Sequence, residues 1–178
     1  MNFRILDKTN QQEAVALFTE AFSSSEGEEE GKIIGNLVSK LSFNTNNKEI
    51  IAIGAYDNEL IIGAIFFTRL SFHEPIAVYM LAPVAVSTQH QGVGAGQALI
   101  NYGLRELKSR SVSVVITYGD PAFYSKVGFQ GLSEQVIQAP LELSMPQGWQ
   151  GLSLTDKPIP KINERPKCVE EFNDPTLW

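Results

Sequence analysis

The sequence predicts an α/β fold, a mixed central sheet flanked by helices, on three observations. Residues 77–86 and 112–118 are apolar almost throughout, the pattern of strands buried on both faces. A glycine-bearing loop and a run with helical spacing lie between them, so the chain reads strand, loop, helix, strand. Such a crossover pairs its two strands in parallel and is normally right-handed. Upstream, the β-rich runs 49–56 and 60–72 are separated by Asp57-Asn58-Glu59, a polar connection of hairpin type that makes this pair antiparallel.

Composition bounds the rest. With 178 residues, 43% of them hydrophobic and 19% charged, the chain is long enough to bury one core, and no internal repeat divides it. Residues 1–150 form the expected domain. The segment 151–178 carries Pro158, Pro160, Pro166 and Pro175 with few periodic apolar positions, and is expected to be an irregular extension packing on that domain. A net charge of −6 argues against a dominant nucleic-acid surface, because affinity for phosphate backbones is carried mainly by clustered Lys and Arg. No apolar run approaches the roughly 20 residues of a membrane span. The opening Met-Asn-Phe-Arg-Ile-Leu-Asp-Lys also lacks the plan of a secretory leader, so a cytoplasmic protein that binds no membrane is expected. Cys168 is the only cysteine; it allows no intrachain disulfide and no cysteine-cluster metal site, and its polar surroundings describe an inert thiol.

In chain order, residues 3–6 read as a short first strand. Thr9 or Asn10 then caps a helix whose apolar face is Ala14, Leu17, Phe18, Ala21 and Phe22. Residues 23–31 break that periodicity and Ile33, Ile34, Leu37, Val38 and Leu41 restore it, so a second helix starts between residues 28 and 32. Glu26, Glu28, Glu29 and Glu30 gather there. Carboxylates in a first turn favour the positive end of the helix dipole; the alternative is attraction of a cationic acceptor.

After the hairpin, the strand 77–86 is interrupted by Pro83, which cannot donate to a ladder and makes the strand bulge or splay away from a neighbour. Backbone groups left free in the middle of a sheet are available to a ligand. Ala98, Leu99, Tyr102, Leu104 and Leu107 give the crossover helix. Past the second buried strand, Asp120-Pro121 opens a short helix with Asp as N-cap and Pro at its first position, closed by Gly128. Residues 129–145 allow one or two further strands.

The loop Gln91-Gly92-Val93-Gly94-Ala95-Gly96-Gln97 has three readings: a phosphate cradle, a structural turn, or chance. A helix entered through glycines exposes unpaired N–H groups and the positive dipole end, while the missing side chains let an anion touch the backbone. A nucleotide P-loop is excluded, because Gly96 is followed by Gln97-Ala98 where that motif needs Lys and Ser or Thr. A dinucleotide-binding fold stays a minor alternative. Asp120 lies about where its acidic residue belongs, but the glycine spacing is unusual for it and residues 97–178 are too few for a full doubly wound domain.

The stretch Ala82-Pro83-Val84-Ala85-Val86, followed by Gln91-Gly-Val-Gly94-Ala-Gly96-Gln-Ala-Leu-Ile100, resembles the Gln/Arg-x-x-Gly-x-Gly/Ala pyrophosphate motif of the GNAT acetyltransferases. Further on, Gly119-Asp-Pro-Ala-Phe-Tyr124-Ser-Lys-Val-Gly128-Phe129 resembles the family's Tyr-x-x-x-Gly-Phe segment, and the wording of both stretches is similar to the YhbS-like subgroup. The resemblance covers residues 3–145 and implies a GNAT-like sheet of about six or seven strands, splayed at an acetyl-CoA site. It implies transfer of an acetyl group from acetyl-CoA to a primary amine by direct attack, with no metal. The backbone of Val84, Ala85 and Val86 would pair with the pantetheine arm like an added strand, and Gln91 with the amides of Gly92, Val93, Gly94, Ala95, Gly96 and Gln97 would hold the pyrophosphate. Tyr124 would be the general acid at the departing sulfur, since a phenol and a CoA thiolate have comparable proton affinities. Read without the resemblance, Tyr124 is a core aromatic beside Phe123 and Phe129. One departure stands out: many members carry a CoA-contacting Asn several residues before this Tyr, and Thr117-Tyr118-Gly119-Asp120 offers none.

The acceptor side is sparsely written. An amine with a pKa near 10 must lose its proton before it attacks, which needs a carboxylate, a His or a water chain. Glu74 beside His73, the cluster Glu28, Glu29 and Glu30, and His90 are candidates that read equally as solvated surface groups, so the base is left unassigned. The acceptor is a small amine or a protein or peptide amine. Phe172, Leu177 and Trp178 pack back on the body or meet a second copy of the chain in a homodimer. The alternative of a different class is a catalytically weak acyl-CoA-binding regulatory module, which shares the glycine loop and lacks an acceptor pocket.

Overall fold

The computed structural model describes residues 1–45 and 48–178. Its strands β1 (Asn2–Leu6), β2 (Ile50–Asp57), β3 (Leu60–Leu70), β4 (Val78–Val86), β5 (Val114–Tyr118), β6 (Gln130–Gly131) and β7 (Trp149–Ser153) form one sheet in the order β1-β2-β3-β4-β5-β7-β6. The sheet is mixed, and its helices are α1 (Gln11–Glu26), α2 (Glu28–Phe43), α3 (Ala95–Ser109) and α4 (Pro121–Tyr124). The chain forms two compact units, Met1–Phe67 with Pro83–Gly103 and Thr68–Ala82 with Leu104–Trp178.

In the first unit β1 pairs antiparallel with β2, from Asn2↔Tyr56 to Leu6↔Ala52. The two-residue connection Asn58-Glu59 joins β2 to β3, and Asn58 takes a left-handed φ of 53°, which a short polar residue tolerates in a tight turn. The core holds Phe18, Leu41, Ile53, Ile65, Phe66 and Leu99, each essentially inaccessible.

The helical pair departs from the expectation that the first helix ends before Ser23. Instead α1 continues to Glu26, and only Gly27, at φ 102°, separates it from α2. The reason lies in the partner helix. A Cβ on Gly31 would stand 1.9 Å from Ser23 Oγ, and one on Gly35 would stand 2.4 Å from Thr19 Oγ1. Small residues let the helices approach so closely that hydroxyl side chains fill the contact, so apolar periodicity stops while the helix does not.

In the second unit β4 and β5 run parallel, with the register Val78↔Val114 to Leu81↔Thr117. This is the predicted strand, loop, helix, strand unit. On its other side β5 pairs antiparallel with β7, from Val114↔Ser153 to Tyr118↔Trp149. Within residues 129–145, where one or two strands were expected, Gln130–Gly131 forms one, and the strand that pairs with β5 on this side is β7, from Trp149 to Ser153, beyond that range. Ile137, Ala139 and Leu143 are buried without joining a ladder strand. The β7 sequence Trp-Gln-Gly-Leu-Ser has neither alternation nor a β-branched run, and its polar Gln150 is as inaccessible as Trp149, so no periodicity marks it.

The C-terminal residues are tied into the second unit. Ser71 and Lys167 exchange backbone hydrogen bonds of 2.9 and 3.0 Å, Ile162 N–H donates to Val136 O at 2.9 Å, and Trp178 Nε1 donates to Phe172 O at 2.8 Å. The Trp178 ring stacks on Tyr118 at 6.1 Å and lies 6.2 Å from Trp149.

Candidate active site

The first unit carries all the cofactor-binding candidates of the sequence. Pro83 and Ala85 are buried while Val84 and Val86 are partly exposed, the alternation of a strand covered on one face. The β4 to β5 register ends at Leu81↔Thr117, just before Ala82 and Pro83, where the proline was expected to interrupt pairing. Toward β3 the strand stays held: Ser87 N–H donates to Ile62 O at 2.8 Å, and a Cβ on Gly63 would stand 3.3 Å from Ala85 O.

Gln91 folds back over this strand end, its Nε2 donating to Val86 O at 2.9 Å. Gly92 and Gly94 follow with φ 75° and 85°, conformations that only glycine adopts without strain, and no atom lies within 4 Å of the Cβ either would carry. Val93 between them is 77% exposed, an unusual position for an isopropyl group. The helix begins earlier than residue 98: Ala95, Gly96 and Gln97 are its first turn, not loop. Ala98 N–H reaches back to Gly94 O at 3.0 Å, so the three N–H groups before it have no acceptor within the helix. Two left-handed glycines leading straight into a helix N-terminus leave a bare concave backbone beside the positive dipole end, suited to a phosphate.

Tyr124 belongs to the second unit. Asp120 caps α4 as expected, its Oδ1 accepting from Ala122 N–H at 2.9 Å, and Pro121 occupies the first helical position. Gly128 closes the following turn at φ 97°. The Tyr124 ring meets Phe123 at 5.0 Å and Phe129 at 5.8 Å, both edge-on. A Cβ on Gly119 would stand 2.8 Å from the ring's Cε2, so the ring fits only because residue 119 has no side chain. Burial pushes the Tyr124 phenol above its ordinary pKa; a hydrogen bond with Thr117 opposes that rise and the charge of Asp120 adds to it. The phenol therefore keeps its proton at neutral pH.

Sequence reading missed three neighbours in this unit. Thr117, wholly buried, donates from Oγ1 to Leu81 O at 2.8 Å, and Gln150 Nε2 donates to Gly119 O and Gly148 O, each at 3.1 Å. Gly119 is the third. The one signal for Thr117 was a hydroxyl in an otherwise apolar strand.

None of the base candidates is set apart by its surroundings. Glu28, Glu29 and Glu30 occupy the first turn of α2, the dipole position. Glu74 is exposed, and the exposed His73 bonds through Nδ1 to Glu164 Oε2 at 2.6 Å. His90 Nδ1 lies 2.7 Å from Ser87 Oγ. Burial raises the pKa of the Cys168 thiol and so disfavours its thiolate. Among the described residues no His, Cys, Asp and Glu group could hold a metal ion, and no helix is long and apolar enough to cross a membrane.

A mixed α/β sheet whose parallel pair is bridged by a glycine-entered helix defines the class. Residues 2–131 match the family model of the Acetyltransferase (GNAT) domain, and the chain belongs to that family of N-acetyltransferases. It is 26% identical over 163 residues to the Escherichia coli protein YjhQ, an uncharacterized N-acetyltransferase, covering 88% of this chain and 86% of that one. It is 33% identical over 75 residues to Escherichia coli YhbS, 42% of this chain and 45% of that one. The crystal structure of YhbS in complex with CoA superposes with a TM-score of 0.69 at 23% identity over 87% of this chain and 82% of YhbS. A GNAT acetyltransferase from Brucella melitensis in complex with acetyl-CoA gives a TM-score of 0.64 at 21% identity over 89% and 92%. Both structures share the fold of this chain.

Proposed function

We propose that the chain transfers the acetyl group of acetyl-CoA to a primary amine by direct attack of the amine on the thioester. The observation that carries this reading is the bare backbone from Gly92 to Gln97, two left-handed glycines followed at once by the free N–H groups of α3, in a member of the GNAT family. Gln91 and these amides hold the pyrophosphate, and the exposed side of the backbone at Val84, Ala85 and Val86 takes the amide-bearing pantetheine arm as a strand would.

In the reaction the amine nitrogen forms a bond to the acetyl carbon while the carbon–sulfur bond breaks and its electron pair goes to sulfur. Tyr124 gives its phenolic proton to that sulfur, and the nitrogen loses a proton to water or to a base that no residue here is assigned. Tyr124 then regains a proton from solvent. The half-buried Cys168 thiol, held neutral, is unsuited to an acyl-enzyme route, which favours direct attack.

Isothermal titration of the purified protein with acetyl-CoA and, separately, with NADH tests the donor half. Binding of acetyl-CoA alone is expected, followed by thiol release when a panel of amines is added. No binding of acetyl-CoA overturns the reading, and binding of NADH in its place revives the dinucleotide alternative. Acetyl-CoA binding with no thiol release from any amine assigns the chain to the regulatory acyl-CoA-binding class.

A further inference from the structure

We infer that Gln150 is a positioning residue for Tyr124: its buried amide anchors Gly119, against which the phenol ring lies. The inference rests on the acid role given to Tyr124 above. Gln150 is 1% exposed in β7 and is the ladder partner of Thr117, so its side chain is on the sheet face shared by Thr117 and, two residues on, by position 119. An apolar side chain would fill this place in a strand, and an amide taken out of water destabilises the fold unless it is hydrogen-bonded. Gln150 Nε2 donates to two carbonyls, Gly119 O and Gly148 O, each at 3.1 Å. Because both partners are acceptors, the nitrogen of the amide must be the atom that faces them.

These bonds lie just past the point where the sheet stops holding the chain. The β5 to β7 ladder ends at Tyr118↔Trp149, and beyond it two glycines meet. Gly119 N–H donates to Gly148 O at 3.0 Å, and a Cβ on Gly148 would stand 3.1 Å from Gly119 O. Gly119 is only half-buried, so water would satisfy its carbonyl as well as a side chain does. What the amide adds is fixation. The peptide group before the Gly119 Cα is tied by its N–H to Gly148 O, the one after it by its carbonyl to Gln150, and the Cα between them is held from both sides.

That Cα is a wall of the Tyr124 site. A Cβ on Gly119 would stand 2.8 Å from Cε2, 3.6 Å from Cδ2 and 3.8 Å from Cζ of Tyr124, so one ring edge lies against residue 119 as far as the carbon that bears the phenolic oxygen. Phe123 and Phe129 meet the ring edge-on, and Phe129 N–H donates to Tyr124 O at 3.2 Å. Those phenylalanines are fixed by the packing of their own side chains. A glycine has none, and past the end of the ladder its backbone bonds alone keep it in place. Removing the Gln150 donor lets the wall and the ring move together, and a reacting group displaced by about 1 Å costs up to about a hundredfold in rate.

The test uses Gln150→Met, similar in length but without a donor, and Gly119→Ala, which crowds the ring and leaves the amide in place, each alone and combined with Tyr124→Phe. Turnover is read as thiol release from acetyl-CoA with the amine of the panel above that releases most thiol, and the acetyl-CoA Kd by isothermal titration, both well below the melting temperature of every variant. Gln150→Met and Gly119→Ala are each expected to lower kcat by about ten- to hundredfold and to leave the acetyl-CoA Kd unchanged. On the Tyr124→Phe background neither should cost anything further. An unchanged kcat in Gln150→Met, with Tyr124→Phe impaired, overturns the inference and spares the acid role. An equal loss on both backgrounds overturns it too, as a purely structural effect. Full activity of Tyr124→Phe defeats the acid role itself and leaves Gln150 nothing to position. Should Gln150→Met not fold, Gly119→Ala decides, and no loss or an equal loss on both backgrounds overturns the inference.

Discussion

Replacing Gly94 by alanine separates a phosphate cradle from a mere turn. Gly94 sits at φ 85°, where an L side chain costs about 1 to 2 kcal/mol, and nothing lies within 4 Å of the Cβ it would gain. The cost is one of backbone conformation without collision, and it is relieved by rotating the peptide planes around residue 94, whose N–H groups open α3. Gly27→Ala is the matched control: φ 102°, again nothing within 4 Å, but between α1 and α2. Its conformation is almost exclusive to glycine, so its strain is about 1 to 3 kcal/mol. Gly131→Ala, equally open and with no left-handed φ, should be near neutral. Both strained variants are then expected to melt lower, by about 2 to 4 °C for each kcal/mol lost. Gly94→Ala alone should weaken acetyl-CoA binding, by roughly ten- to hundredfold, the loss of one charge-assisted amide to phosphate bond. Thermal melts and isothermal titration on the three proteins decide it. If Gly94→Ala binds acetyl-CoA as tightly as Gly27→Ala does, the glycines serve only the turn and the cradle is refuted.

Tyr124→Phe keeps the ring contacts with Gly119, Phe123 and Phe129 and removes one oxygen, so kcat should fall by roughly one to three decades with acetyl-CoA affinity little changed; unaltered turnover removes Tyr124 from the mechanism. Because the Tyr124 phenol is raised above its ordinary 10.0, it stays protonated until the pH passes that value. Loss of kcat through its ionisation should therefore begin only in that alkaline range, and a limb at lower pH assigned to it by comparison with Tyr124→Phe contradicts the reading. Asp120→Asn should retain activity and stability, since an amide oxygen also caps Ala122 N–H, while Asp120→Ala loses about 1 kcal/mol; equal loss of kcat in both would show that the charge, and not the cap, matters. Glu164 receives His73 N–H at 2.7 Å and Glu74 N–H at 3.3 Å, and the bond to the His73 ring does most to hold its carboxyl below the ordinary 4.5. A lowered carboxyl pKa stabilises the fold above 4.5 and stops doing so as the pH falls through the folded value. Glu164→Gln should thus melt below the parent protein at neutral pH, with the difference closing in acid; a difference constant down to pH values well below the carboxyl range speaks against it.

Local features of the chain were legible because their causes are local. Asp120 and Pro121 start α4 and Gly128 ends the turn after it through hydrogen bonds and φ values that involve no distant residue. The hairpin at Asn58 and the parallel pair around α3 likewise follow from connection length and from apolar runs. Where reading went astray, the deciding contact was remote in sequence. Ser23, Ser24 and Ser25 look like a helix end until Gly31 is seen to leave space for Ser23. The strand at Trp149 is polar, short and glycine-bearing, and it becomes a strand because β5 offers it an edge.

By itself the sequence determined the α/β class, the glycine-entered helix and the motifs that tie the chain to its family, because each is written in residues adjacent along the chain and governed by backbone sterics, hydrophobic period or helix capping. Only the tertiary structure decided that Gly119 makes room for the Tyr124 ring, that Gln150 holds Gly119 and that the Thr117 hydroxyl turns to Leu81. Thr117 reaches Leu81, and Gln150 reaches Gly119 from 31 residues away, so no spacing rule connects them. A buried hydroxyl or amide is placed by whatever partner the fold brings within hydrogen-bonding distance, and that partner is a property of packing.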